Sequence, residues 1–95
     1  MVRVVRPDDD GGGAFTLSVD GRRVGTLNAG DELVIYAPPG EHELAARFAW
    51  ISGRLTLRLG DGERLRVTAQ RAFGYGPFEP RYFTRRREAI RLTPG

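Results

Sequence analysis

The chain has 95 residues, 40% of them hydrophobic, which predicts one small domain with a modest core rather than a disordered chain. Cysteine is absent, and that excludes disulfide staples, thiolate metal sites and cysteine nucleophiles together. The formal net charge is +3 and every basic residue is arginine, but the charge is split: residues 1–63 hold seven arginines against ten acids (−3), and residues 64–95 hold eight against two (+6).

No apolar run approaches the ~20 residues needed to span a bilayer, and the opening "MVRVVRPDDDGGG" has no apolar core of a secretory signal. The expected location is the cytoplasm, with no transmembrane segment. All-arginine usage reads first as the coding habit of a GC-rich genome. The basic C-terminal third is still the one charge feature suited to an anionic partner.

In chain order, "VRVVR" predicts a short first strand, with this strand or the one after it at a sheet edge, and residues 7–13 an Asp/Gly linker. "AFTLSVDG" sets Phe15, Leu17 and Val19 on one face, and Asp20-Gly21 predicts a two-residue type I′ turn. That turn would place Leu17 opposite Val24, with Gly25 as the site of a bulge. "ELVIY" and "HELAARFAW" predict a hairpin closed by Ala37-Pro38-Pro39-Gly40, so that Ile35 faces His42 and Leu33 faces Leu44. The inward face of the second strand would then be His42, Leu44, Ala46, Phe48 and Trp50. "RLTLRL" and "ERLRVTA" predict a further hairpin, in which the three-residue loop Gly60-Asp61-Gly62 keeps both leucine-rich rows on one face and Gly62 takes a left-handed conformation. Residues 71–95 form an aromatic, arginine-rich C-terminal segment, with "AIRL" as a short closing strand. About seven short strands separated by turn signals predict a single all-β domain over 1–95, an antiparallel sandwich.

The lone histidine, His42, has no second His, no Cys and no carboxylate at ligand spacing, and Glu41 and Glu43 point to the other side of a strand. It reads as a hydrogen-bonded structural imidazole. Ser18 and Ser52 lack the strand-elbow-helix context of a nucleophile. The three acids of "PDDDGGG" lack a glutamate at calcium-loop spacing. No catalytic, cofactor-binding or metal-ligating residue is assigned, and no cofactor is expected. The segment "RAFGYGPFEPRYFTRRR" interleaves arginines with aromatics, the kit of single-strand binders, although a solvated arginine run over an aromatic cap is the favoured reading. If the segment binds an anion, the contacts are Arg81, Arg85, Arg86 and Arg87.

The run "VDGRRVGTL", "APPGEHEL" and "FAWISGRLTLRLGDGERLRV" resembles the PEGA-type family of small bacterial β-sandwich modules, over roughly Phe15 to Thr68. Within it the chain looks most like uncharacterised stand-alone bacterial proteins with a basic V-x-V-x-R-P opening and a Trp-x-Ser stretch, here Trp50-Ile51-Ser52. The resemblance implies an immunoglobulin- or prealbumin-like sandwich without established catalytic activity. The expectation is a non-catalytic interaction module, monomeric or weakly dimeric, with a protein partner. A binder of nucleic acid or an acidic surface through the C-terminal arginines is the less favoured alternative.

Overall fold

A computed structural model of the chain describes residues 1–8, 13–71 and 90–95. Eight strands are present among them: β1 (Val2–Val5), β2 (Phe15–Val19), β3 (Arg22–Leu27), β4 (Glu32–Ile35), β5 (Gly40–Phe48), β6 (Ile51–Leu59), β7 (Leu65–Arg71) and β8 (Ile90–Pro94). They form two four-stranded sheets packed together, ordered β4-β1-β7-β8 and β3-β2-β5-β6. The all-β class and the sandwich layering match the alternating pattern. The described residues alone hold eight strands, where about seven are expected for the chain, and the sheets are not purely antiparallel, because β1 and β7 pair in parallel with Val2 opposite Leu65 and Val4 opposite Val67.

Each sheet turns its apolar row inward. Val2, Val4, Ile35, Val67, Ala69 and Leu92 come from one sheet, and Phe15, Leu17, Leu27, Leu44, Ile51 and Leu59 from the other. Burying a side chain of this class stabilises by about 1.5–3 kcal/mol, so these rows hold the two layers together.

Asp20 and Gly21 take φ values of 52° and 83°, as a type I′ turn requires. After it, Ser18 pairs with Arg23 but Leu17 pairs with Gly25, so Val24 is the extra residue of a bulge and its side chain is exposed. The bulge turns Leu27 inward opposite Phe15. Gly25, not Val24, fills the inward place, where it leaves room for Leu33 of the facing sheet.

Both long hairpins expected from the alternation are replaced by crossings between sheets. β4 pairs with β1, whereas β5 pairs with β2 and β6. Pro38 and Pro39 have no N–H to continue a ladder, so they carry the chain across the sandwich, and Gly40 turns the corner at φ 130°. In the same way β6 pairs with β5 and β7 with β1 and β8. The crossing loop is closed by Glu63 N–H donating to the Gly60 carbonyl (3.1 Å) and Gly60 N–H donating to Glu63 Oε1 (2.8 Å). Gly62 has the left-handed φ of 70° expected of it.

Two further expectations are corrected. Neither β1 nor β2 is an edge, since each lies between two neighbours; the outer strands among the described residues are β4, β8, β3 and β6. Trp50 is not buried but 40% exposed. β5 ends at Phe48, which pairs with Ile51, and Ala49 reverses the chain at φ 51°. Ile51 thereby takes the inward place that simple alternation assigns to Trp50.

Candidate functional site

Three polar constellations stand out, and two are structural. Arg6 follows β1 in phase with Val2 and Val4, so its side chain points into the sandwich and is 1% exposed. Its Nη1 donates to the carbonyls of Leu27 (2.9 Å) and Gly13, and its guanidinium lies 3.7 Å from the centre of the Phe15 ring. A buried cation is tolerated only with such partners, and these belong to the two chain segments that its strand must hold together.

His42 points inward from β5 at the turn end of the sandwich, beside Val2, Val19, Ile35 and Leu57. Its Nδ1 is 2.7 Å from Asp20 Oδ2 and its Nε2 is 2.6 Å from the Pro38 carbonyl. The other carboxylate oxygen of Asp20 accepts from Glu43 N–H (2.8 Å). A carbonyl and a carboxylate can only accept, so both ring nitrogens are satisfied together only in the imidazolium form. The bond to Asp20 first, and then the bond to Pro38, raise the histidine's pKa above its ordinary 6.5 against an opposing desolvation. The hydrogen bond from His42 and then that from Glu43 hold Asp20 below its ordinary 3.8. An Asp-His pair in a catalytic triad keeps its second nitrogen for the nucleophile; here that nitrogen is committed to Pro38. The pair is a clip between the β2–β3 turn, the crossing loop and β5.

The third constellation is open to solvent. Bulge and turn placement put Arg23 (β3), Ser18 (β2), Ala45 (β5) and Arg54 (β6) in one row across the outer face of the second sheet. The next row along carries Thr16, Arg47 and Ser52. Arg23 and Arg54 stand at the two ends of the first row with small side chains between them, Arg47 stands in the second row between Thr16 and Ser52, and Trp50 comes from the β5–β6 turn. Together they line a groove of about 680 Å³. Arg23 and Arg47 make no ion pair among the described residues, and Arg54 has only a loose one with Glu43 at 3.8 Å, both side chains being largely exposed. Such a pair is weak in water and leaves the arginine available. The opposite sheet also carries arginines on its outer face, Arg3, Arg66 and Arg91, of which Arg3 makes a half-exposed pair with Glu32 at 3.4 Å.

No protein-family model, curated protein or solved structure matches this chain.

Arg81, Arg85, Arg86 and Arg87, the anion contacts expected from the sequence, lie outside the described residues. Arg71, just before them, closes β7 with its guanidinium 4.9 Å from the centre of the Phe48 ring. The alternation in the sequence gives the outward parity of Thr16, Ser18, Arg47 and Arg54 but carries no sign that β2 lies beside β5, and it places Trp50 in the core, so the groove has no local signature. Among the described residues no group of three His, Asp or Glu could hold a metal ion. No helix among them is long and apolar enough to cross a membrane.

Proposed function

We propose that this chain is a non-catalytic interaction module, a β-sandwich of the immunoglobulin or prealbumin type akin to the PEGA-type modules, whose partner is anionic. The single observation that carries this reading is the outer-face groove, which three arginines line together with small residues and with little acidic compensation. Arginine stays charged at any physiological pH and binds carboxylate and phosphate in a bidentate manner. The commitment of His42 to two structural bonds favours binding over hydrolysis. The "VDGRRVGTL" and "PPGEHEL" motifs support the family likeness, since both are used here as turns and corners. A cytoplasmic location fits the cysteine-free composition, and the monomer or weak dimer expected from the sequence leaves this face open.

Chemical-shift mapping of the isotope-labelled protein at low salt tests the reading, with polyglutamate, inorganic polyphosphate and oligothymidylate as probes. At least one polyanion should move the backbone amides of Ser18, Ala45 and Ser52, and salt should reverse the shifts. If none of the three shifts these amides, or all shift only the outer face of the sheet that carries Arg3, this groove is not the binding surface.

A further inference from the structure

Anionic partners differ in what they offer beside charge, and the groove is not lined by charge alone. Its arginines stand at three corners. From inter-strand and along-strand spacings their Cα separations are roughly 8 to 14 Å. The longest of these, Arg23 to Arg54, follows from the row Arg23, Ser18, Ala45, Arg54 across four strands. It is the length of about four stacked nucleotides at ~3.4 Å each. Among the arginines the groove is hydroxyl-rich: Ser18 lies in the row between Arg23 and Arg54, and Thr16 and Ser52 flank Arg47, each hydroxyl able both to donate and to accept.

Trp50 adds what an acidic peptide would not need. It is the only tryptophan of the chain, it is 40% exposed at the tip of a tight turn, and it lines the same groove as Arg47 and Arg54. An indole exposed beside cations is a stacking platform for a planar base, whatever the base. A lipid surface fits poorly, because the arginines line a groove rather than standing on a convex face.

Resting on the anionic-partner reading above, we infer that the groove binds single-stranded nucleic acid, with a base stacked on Trp50 and phosphates held by Arg23, Arg47 and Arg54. Stacking and phosphate contacts are both indifferent to base identity, so the binding has little sequence preference. Its salt dependence follows from the number of phosphates neutralised.

The test uses the full chain and a short fluorescently labelled oligothymidylate, read by anisotropy, with the intrinsic emission of Trp50 as a second signal. Wild type should bind at low salt with quenching of Trp50, and the slope of log affinity against log salt should be about −2, three contacts at ~0.7 each. Arg47→Gln should reduce that slope by about 0.7. Trp50→Ala should leave the slope unchanged but weaken binding roughly 5- to 150-fold, the loss of one stacked base, and Trp50→Phe should recover part of it. Arg66→Gln, on the outer face of the other sheet, should change neither quantity. An abasic strand of equal length that binds as tightly as oligothymidylate overturns the nucleic-acid assignment while leaving the anionic reading intact. A duplex that binds as well as the single strand overturns the assignment to single strands and the stacking on Trp50. Tighter binding of polyglutamate makes an acidic protein segment the occupant instead. If no polyanion binds, both readings fall. Unchanged amide spectra away from the substituted site verify that each variant is folded.

Discussion

Asp20 and His42 are 22 positions apart in the chain, yet the carboxylate of one lies 2.7 Å from the imidazole of the other. β2 beside β5 makes this possible, because Val19 pairs with Leu44 and the type I′ turn begins where His42 turns inward. The same turn is bound to the strand by backbone, Asp20 N–H donating to the Glu43 carbonyl at 2.9 Å. Pro38 accepts from the far side of the ring, so one side chain joins three segments.

This clip makes stability depend on pH in a definite direction. The raised pKa of His42 contributes stability that is fully present below the ordinary 6.5 and is lost as pH rises through the raised value. The lowered pKa of Asp20 contributes stability present above the ordinary 3.8 and lost as pH falls through the lowered value. Between those two ordinary values both contributions are complete. Urea midpoints of wild type and His42→Gln measured across pH should therefore differ most in that window and converge in alkali. A difference that instead grows with rising pH would contradict the imidazolium assignment.

Arg6 is expected to be the most costly polar residue to remove. Arg6→Ala leaves the carbonyls of Leu27 and Gly13 without their donor and opens a cavity over Phe15. A loss of about 3–5 kcal/mol in chemical denaturation is expected. Arg6→Lys keeps the charge but not the planar fork, so it should fall between wild type and Ala. Equal stability of the Ala variant would show that the buried guanidinium contributes nothing net.

Gly53 is required by close approach of the two sheets. A methyl group there would overlap the carbonyl oxygen of Ile90, where β6 lies along β8. Backbone cannot swing away as a side chain can, so Gly53→Ala should cost about 1–3 kcal/mol. Gly60→Ala, whose added methyl would meet Glu63 at an ordinary 3.4 Å, serves as the matched control. Equal urea midpoints for the two variants would mean that β8 can move off β6 without penalty.

Trp50, by contrast, should matter less for folding than a core aromatic. With 40% of its surface exposed at a turn, Trp50→Ala should cost less than the ~3–5 kcal/mol of a fully buried aromatic. The emission of the folded protein should be that of a partly solvated indole and should respond to acrylamide. A blue-shifted, unquenchable emission would put the indole in the core and remove it from the groove.

Much of this architecture is a direct consequence of local sequence. Period-two alternation assigned Phe15, Leu17, Leu44, Ala46, Val67 and Ala69 to the interior, and they are buried. Asp20-Gly21 and Gly62 adopt the positive φ that their residue types invite. Those outcomes are legible because a pleated strand and a tight turn are governed by neighbours along the chain.

Tertiary structure alone decided which strand lies beside which. A residue that faces inward does so equally well from either layer of a sandwich, so the leucine rows of β6 and β7 have the same parity in a hairpin and in opposing sheets. Alternation carries no information that separates the two. Pro38-Pro39 was a sign of the crossing, but a turn uses the same residues. The parallel pairing of β1 with β7 joins segments some sixty residues apart and has no local signature. The groove depends on those pairings: Arg23, Arg47 and Arg54 lie on three different strands, and Trp50 reaches them only because the chain reverses at Ala49. Side-chain parity was thus settled by the backbone's own period, and the juxtaposition of charges by the packing of one sheet on another.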